Sequence, residues 1–145
     1  MLIEQLDSAH KAQQAGSRGV LLIDDSKLFQ RVLQRIVETE GGTVIGVAEC
    51  GKQGAAMSIS LRPGLVILDH NMPDMNGVQC LRAMRESGAE CRVIVCSGEL
   101  TLENSQEYAR LRADAIFVKP LVMHAFIKAL RDCLGAEPLP THTAA

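Results

Sequence analysis

Four apolar runs in this 145-residue chain are each followed at once by side chains that could do chemistry: Asp24 and Asp25 after 20–23, Asp69 after 65–68, Ser97 after 92–96, and Lys119 with Pro120 after 115–118. Taken singly, each has an ordinary structural use. Asp24 could be a helix N-terminal charge, Ser97-Gly98 a turn, and Lys119-Pro120 a helix start. Taken together they are three carboxylates, one hydroxyl and one ammonium at corresponding positions of four runs. Carboxylates so gathered repel one another, and each desolvated anion is costly without a cation. Mg2+, which takes oxygen ligands and keeps several waters, meets that need better than Ca2+. An Asp carboxylate in such a place can accept a phosphoryl group, with Lys119 offsetting the arriving charge and Ser97 donating a hydrogen bond to it. Asp69 is the best-placed acceptor, because its run is unbrokenly apolar and it opens the polar loop 70–77; Asp24 and Asp25 then hold the metal.

The elements that must position these groups alternate along the chain. Run 20–23 is followed by a helix over 26–38, in which Leu28, Phe29, Val32, Leu33, Ile36 and Val37 recur at helical spacing, with Ser26 as N-cap and Gly41-Gly42 as the stop. A strand over 43–48 precedes a weak helix over 52–61, ended by Pro63-Gly64. The apolar run 65–68 suits a central strand buried on both faces. A helix through Val78, Leu81 and Met84, a strand 92–96, a helix 102–112, a strand 115–118 and a helix 122–134 complete the series. Strands alternating with helices make right-handed βαβ units, so the fold class expected is α/β, a single doubly wound five-stranded parallel sheet with helices on both faces. Ligands of such sheets bind at the carboxyl ends of the strands. The organisation expected is an arm or short helix over 1–18, one domain over 19–134, and a flexible tail over 135–145 containing Pro138 and Pro140.

The balance of 15 Lys+Arg against 17 Asp+Glu, a net charge of −2, provides no field for holding nucleic acid or anionic lipid. No apolar run approaches the ~20 residues of a membrane span, so neither direct nucleic-acid binding nor membrane insertion is expected. Five cysteines without metal-ligand spacing, three of them (Cys80, Cys96, Cys133) inside apolar segments, read as buried thiols of a reducing compartment, and a cytoplasmic location is expected.

At the level of motifs, LLIDD (21–25), LVILDHNMPDMNG (65–77), VIVCSG (93–98) and IFVKP (116–120) resemble the receiver domain of two-component response regulators, over roughly 18–134. The resemblance implies a flavodoxin-like fold and Asp69 as phosphoacceptor. It further implies Mg2+ held by Asp24, Asp25, Asp69 and the backbone carbonyl of Asn71, Ser97 as a switch hydroxyl, Lys119 as the phosphoryl contact, and a cis Lys119–Pro120 bond. The implied partners are a sensor histidine kinase or phosphotransfer protein as donor and a downstream protein target, with homodimerisation possible on phosphorylation. The implied activity is self-catalysed gain and slow loss of the phosphoryl group, without a further enzymatic function.

The chain departs from the family pattern at Ile116, where many members carry an aromatic residue that rotates inward with the switch hydroxyl; Phe117 beside it faces the other side of the sheet. Ile116 and Tyr108, the single tyrosine, are therefore read as switch or output positions, Tyr108 as an exposed recognition residue or as a packing one. A receiver standing nearly alone is expected. The rival within the same fold is a degenerate receiver that docks partners without phosphate. A P-loop built on Gly46, Gly51 and Lys52 places Gln53 where a metal-binding hydroxyl belongs, and a flavin site would face two aspartates where phosphate needs donors.

Overall fold

The computed structural model describes the backbone of residues 2–135 and the side chains of residues 9–135. Strands β1 (Gly19–Ile23), β2 (Thr43–Ala48), β3 (Leu65–Asp69), β4 (Arg92–Ser97) and β5 (Ala115–Val118) form one sheet in the order β2-β1-β3-β4-β5. Every neighbouring pair is parallel. The crossovers run through α2 (Lys27–Thr39), α3 (Gly51–Leu61), α4 (Gly77–Glu86) and α5 (Leu102–Arg110), and α6 (Met123–Gly135) follows β5. A further helix, α1 (Leu2–Ala15), leads through a single 3-10 turn into β1 and packs against β2 and α3. The expected fold class holds, and the described part of the arm, 2–18, is helical.

The alternation of side chains along each strand divides the core into two layers. Leu21, Ile23, Val66, Leu68, Val93 and Val95 face α3, α4 and α5, where Val78, Leu81, Met84 and Tyr108 meet them. Val20, Leu22, Leu65, Ile67 and Ile94 face α2 and α6, where Leu33, Val37, Phe126 and Leu130 pack. Strands β1 and β3 are buried throughout, as apolar strands covered on both faces must be. The five cysteines are free. Cys80 and Cys91 lie in the first layer, Cys96 and Cys133 in the second, and Cys50 is half-buried.

Local signals set the helix starts. The Ser26 hydroxyl accepts from the Phe29 N–H, Thr101 caps α5 through the Asn104 N–H, and Asn76 and Gln79 form a reciprocal capping box on α4. Several boundaries differ from expectation by one or two residues. Helix α5 ends at Arg110, short of 112, because Arg112 turns left-handed at φ +64°. Gly135, assigned to the tail, is the last residue of α6; the rest of that tail, 136–145, lies outside the described residues. Strand order reverses between β1 and β3, so a crevice opens at their carboxyl ends.

Candidate functional site

Strands β3 and β4 run one residue further than their apolar runs and so include Asp69 and Ser97, and the parallel register sets these beside the end of β1. One carboxylate oxygen from each of Asp24, Asp25 and Asp69 lies within 4.8 Å of the others. Asp24 and Asp69 are only 1% and 6% exposed, and Asp25 is open to solvent. The Lys119 ammonium, carried from the end of β5 ahead of a cis Lys119–Pro120 bond, stands 3.3 Å from Asp24 Oδ2 and 3.7 Å from Asp69 Oδ1. The five side chains singled out at the ends of the four runs therefore converge at one sheet edge.

Each group is held differently. Asp24 is fixed from its own turn: Oδ1 accepts the Ser26 N–H at 2.8 Å and its carbonyl accepts the Gln30 amide at 2.6 Å. Asp69 is held lightly: besides Lys119, the Asn71 N–H reaches its Oδ1 at 3.4 Å. That same contact sets the Asn71 backbone beside the carboxylates. Burial first, and the Asp24 charge second, push the Asp69 carboxyl up to about 6, against the pull of Lys119. Three carboxylates facing one ammonium leave this pocket short of positive charge, and their hard oxygens at mutual contact distance fit a divalent cation. Ser97 is fully buried; its hydroxyl donates to the Glu99 carbonyl and accepts the Glu99 N–H at 3.2 Å.

Sequence reasoning missed several supporting residues. Phe29, counted only as an apolar position of α2, lies under the Lys119 ammonium, 4.0 Å from the ring centroid, where cation–π attraction steadies it. Its signal was its place one turn beyond Asp25. Asp74 reaches across the chain to accept the Gly51 and Lys52 N–H groups, both at 2.8 Å, and so ties the loop after Asp69 to the start of α3. That use of Gly51 and Lys52 as a helix start, with Gly46 inside β2, leaves no phosphate loop there.

On the output side the placement is mixed. Ile116 is partly buried against the core layer of Val95 and Tyr108, while Phe117 faces the other layer and meets Phe126 edge-on at 5.5 Å, as the alternation required. Tyr108 is not an exposed recognition residue. It is fully buried, its hydroxyl 2.5 Å from His70 Nδ1, because Gly77 leaves the space a Cβ would fill.

The family model described as the response regulator receiver domain matches residues 20–131. The chain belongs to the response regulator receiver family. This receiver is 32% identical to the nitrate/nitrite response regulator protein NarL of Escherichia coli (strain K12) over 81% of its own length and 55% of NarL, so it spans about half of that relative. It is 28% identical to the chemotaxis protein CheY of Thermotoga maritima, covering 77% of this chain and 92% of that one. Among solved structures it superposes on a CheY-like receiver domain from Methanospirillum hungatei JF-1 with a TM-score of 0.74 at 26% identity, over 80% of this chain and 92% of that one. A chain of the CheX-CheY-BeF3-Mg+2 complex from Borrelia burgdorferi matches with a TM-score of 0.73 at 27% identity, over 77% of this chain and 85% of that one. No helix among the described residues is long and apolar enough to cross a membrane.

Proposed function

We propose that this receiver takes a phosphoryl group onto Asp69 and thereby alters its surface toward a protein partner. The observation carrying this reading is the charge arrangement at the sheet edge, three carboxylates within 4.8 Å that, among the described residues, pair with Lys119 alone. An Asp69 oxygen attacks phosphorus as the P–N bond of a phosphohistidine donor breaks, and the imidazole leaves with a proton from solvent. Lys119 accompanies the arriving phosphoryl oxygens, and Ser97 turns its hydroxyl from Glu99 to donate to one of them. Asp24, Asp25, Asp69 and the Asn71 carbonyl would hold Mg2+, which when bound supplies charge neutralisation for the transferring group. The donor class is a sensor histidine kinase or phosphotransfer protein, the receiver of the signal a downstream protein, and the site of action the cytoplasm.

Intact-mass measurement after incubation with acetyl phosphate tests this directly. One phosphoryl adduct is expected on the native chain in the presence of Mg2+, and none without Mg2+ or in Asp69→Asn. Absence of the adduct under all conditions, with partner binding retained, would replace this reading by a phosphate-independent docking module.

A further inference from the structure

Directly after Asp69 the chain places a buried histidine whose two ring nitrogens are both engaged by α5. His70 Nδ1 lies 2.5 Å from the Tyr108 hydroxyl and Nε2 lies 3.2 Å from the Asn104 amide nitrogen. With Asn104 donating to Nε2, the ring proton sits on Nδ1 and is donated to the Tyr108 oxygen, a tautomer assigned from this network. The two rings meet edge-on, 5.7 Å between centroids. Both residues are shut off from water, His70 at 8% and Tyr108 at 0% exposure. The fit is specific to this pairing: a Cβ on Gly77 would stand 2.2 Å from the Tyr108 hydroxyl and 2.9 Å from the Asp69 carbonyl oxygen.

We infer that His70 and Tyr108 are positioning residues that clamp the backbone between Asp69 and Asn71 to α5, so that phosphoryl transfer at Asp69 is transmitted to α5 through this buried bond. The inference rests on the phosphoacceptor reading above. Its physical basis is placement. His70 sits between the acceptor carboxylate and the Asn71 backbone, so movement there must carry its ring, and a buried hydrogen bond moves with its partner or breaks. The strand position that faces the same core layer, on β5, is held by the aliphatic Ile116, which has no polar group to follow Ser97. The aromatic hydroxyl in that layer comes instead from α5. Coupling of this kind is reciprocal, so a partner gripping α5 also biases the site at Asp69.

Tyr108 is the only tyrosine and the chain has no tryptophan, so its near-ultraviolet band reports on this one bond. The test combines that band, intact mass and amide hydrogen exchange of α5 in the native chain, His70→Leu and Tyr108→Phe, each treated with acetyl phosphate and Mg2+. In the native chain the tyrosine band is expected to shift in step with the adduct, and α5 exchange to change with it. In His70→Leu the adduct should form without the band shift. In Tyr108→Phe, which keeps the ring, the adduct should form with the α5 change lost. An adduct on the native chain with an unmoved band, or an α5 change surviving in Tyr108→Phe, overturns the relay. No adduct on the native chain removes the phosphoacceptor reading and the relay with it, and mass alone tells that case apart. Should Tyr108→Phe not fold, His70→Leu decides by its band.

Discussion

The two ends of the sheet treat charge in opposite ways. At the amino ends of the strands Arg18, Arg85 and Arg92 each have acceptors. Arg18 donates to the carbonyls of Gly41, Glu40 and Leu134, closing the ends of α2 and α6, and Arg85 donates to those of Leu111, Ala89, Cys91 and Arg112. Arg92 pairs with Asp114 at 3.1 Å, and Asp114 also accepts the Val93 N–H. At the carboxyl ends three carboxylates share Lys119. Both ends are polar, and only one is out of balance. Charge that is satisfied in place holds the fold together, whereas charge left uncompensated at the strand-order reversal marks where a ligand must complete it.

If that contrast is right, the largest effect on stability comes from the satisfied end. Arg85→Ala orphans four carbonyls and should cost about 3 kcal/mol in chemical denaturation while leaving the yield of phosphoryl adduct unchanged. At the unbalanced end the sign reverses. Asp69 is pushed up from 3.8 to about 6 mainly by burial, so the metal-free folded state bears an ionisation cost above that pH and none below the ordinary value. This group's effect on stability therefore improves as pH falls from neutrality toward the ordinary value. Asp69→Asn should stabilise the metal-free protein by about 2 kcal/mol at neutral pH, a gain that vanishes in acid melts. Mg2+ should achieve part of the same relief, raising the stability of the native chain by about 1.4 kcal/mol at ten times its Kd and leaving Asp25→Asn unmoved in thermal melts. The smallest effect tests whether location alone suffices. Lys27 and Glu49 pair on the rim of the same end but are largely exposed, and Lys27→Ala should change stability by less than about 0.5 kcal/mol in the same melts.

The site was readable in the chain because its parts sit at strand ends, where the change from apolar to polar is abrupt and the parallel sheet aligns the positions. The opposite facing of Ile116 and Phe117 followed from the two-residue period alone. Tyr108 was not readable. Helix α5, LENSQEYAR, is polar nearly throughout, and its one ring turns inward because Gly77, thirty-one positions earlier, leaves room beside the Asp69 carbonyl. Asp74 on the start of α3 and Phe29 beneath Lys119 are likewise contacts between segments distant in sequence. The early end of α5 depends on a single left-handed residue, Arg112, whose type gives no sign of it.

The distribution of the cysteines makes the two core layers separately observable in time. Burial pushes Cys80 and Cys96 up to about 12 and Cys133 up to about 11, and it raises Cys91 as well, so in the native state these buried thiols are held protonated. Each reacts faster with an alkylating reagent when its surroundings open. With Cys80 and Cys91 in the layer of α4 and Cys96 and Cys133 in the layer of α6, labelling rates resolved by peptide mass would clock the opening of one side of the sheet against the other. The same clock, run on the phosphorylated protein, would show which side of the fold loosens when the signal arrives.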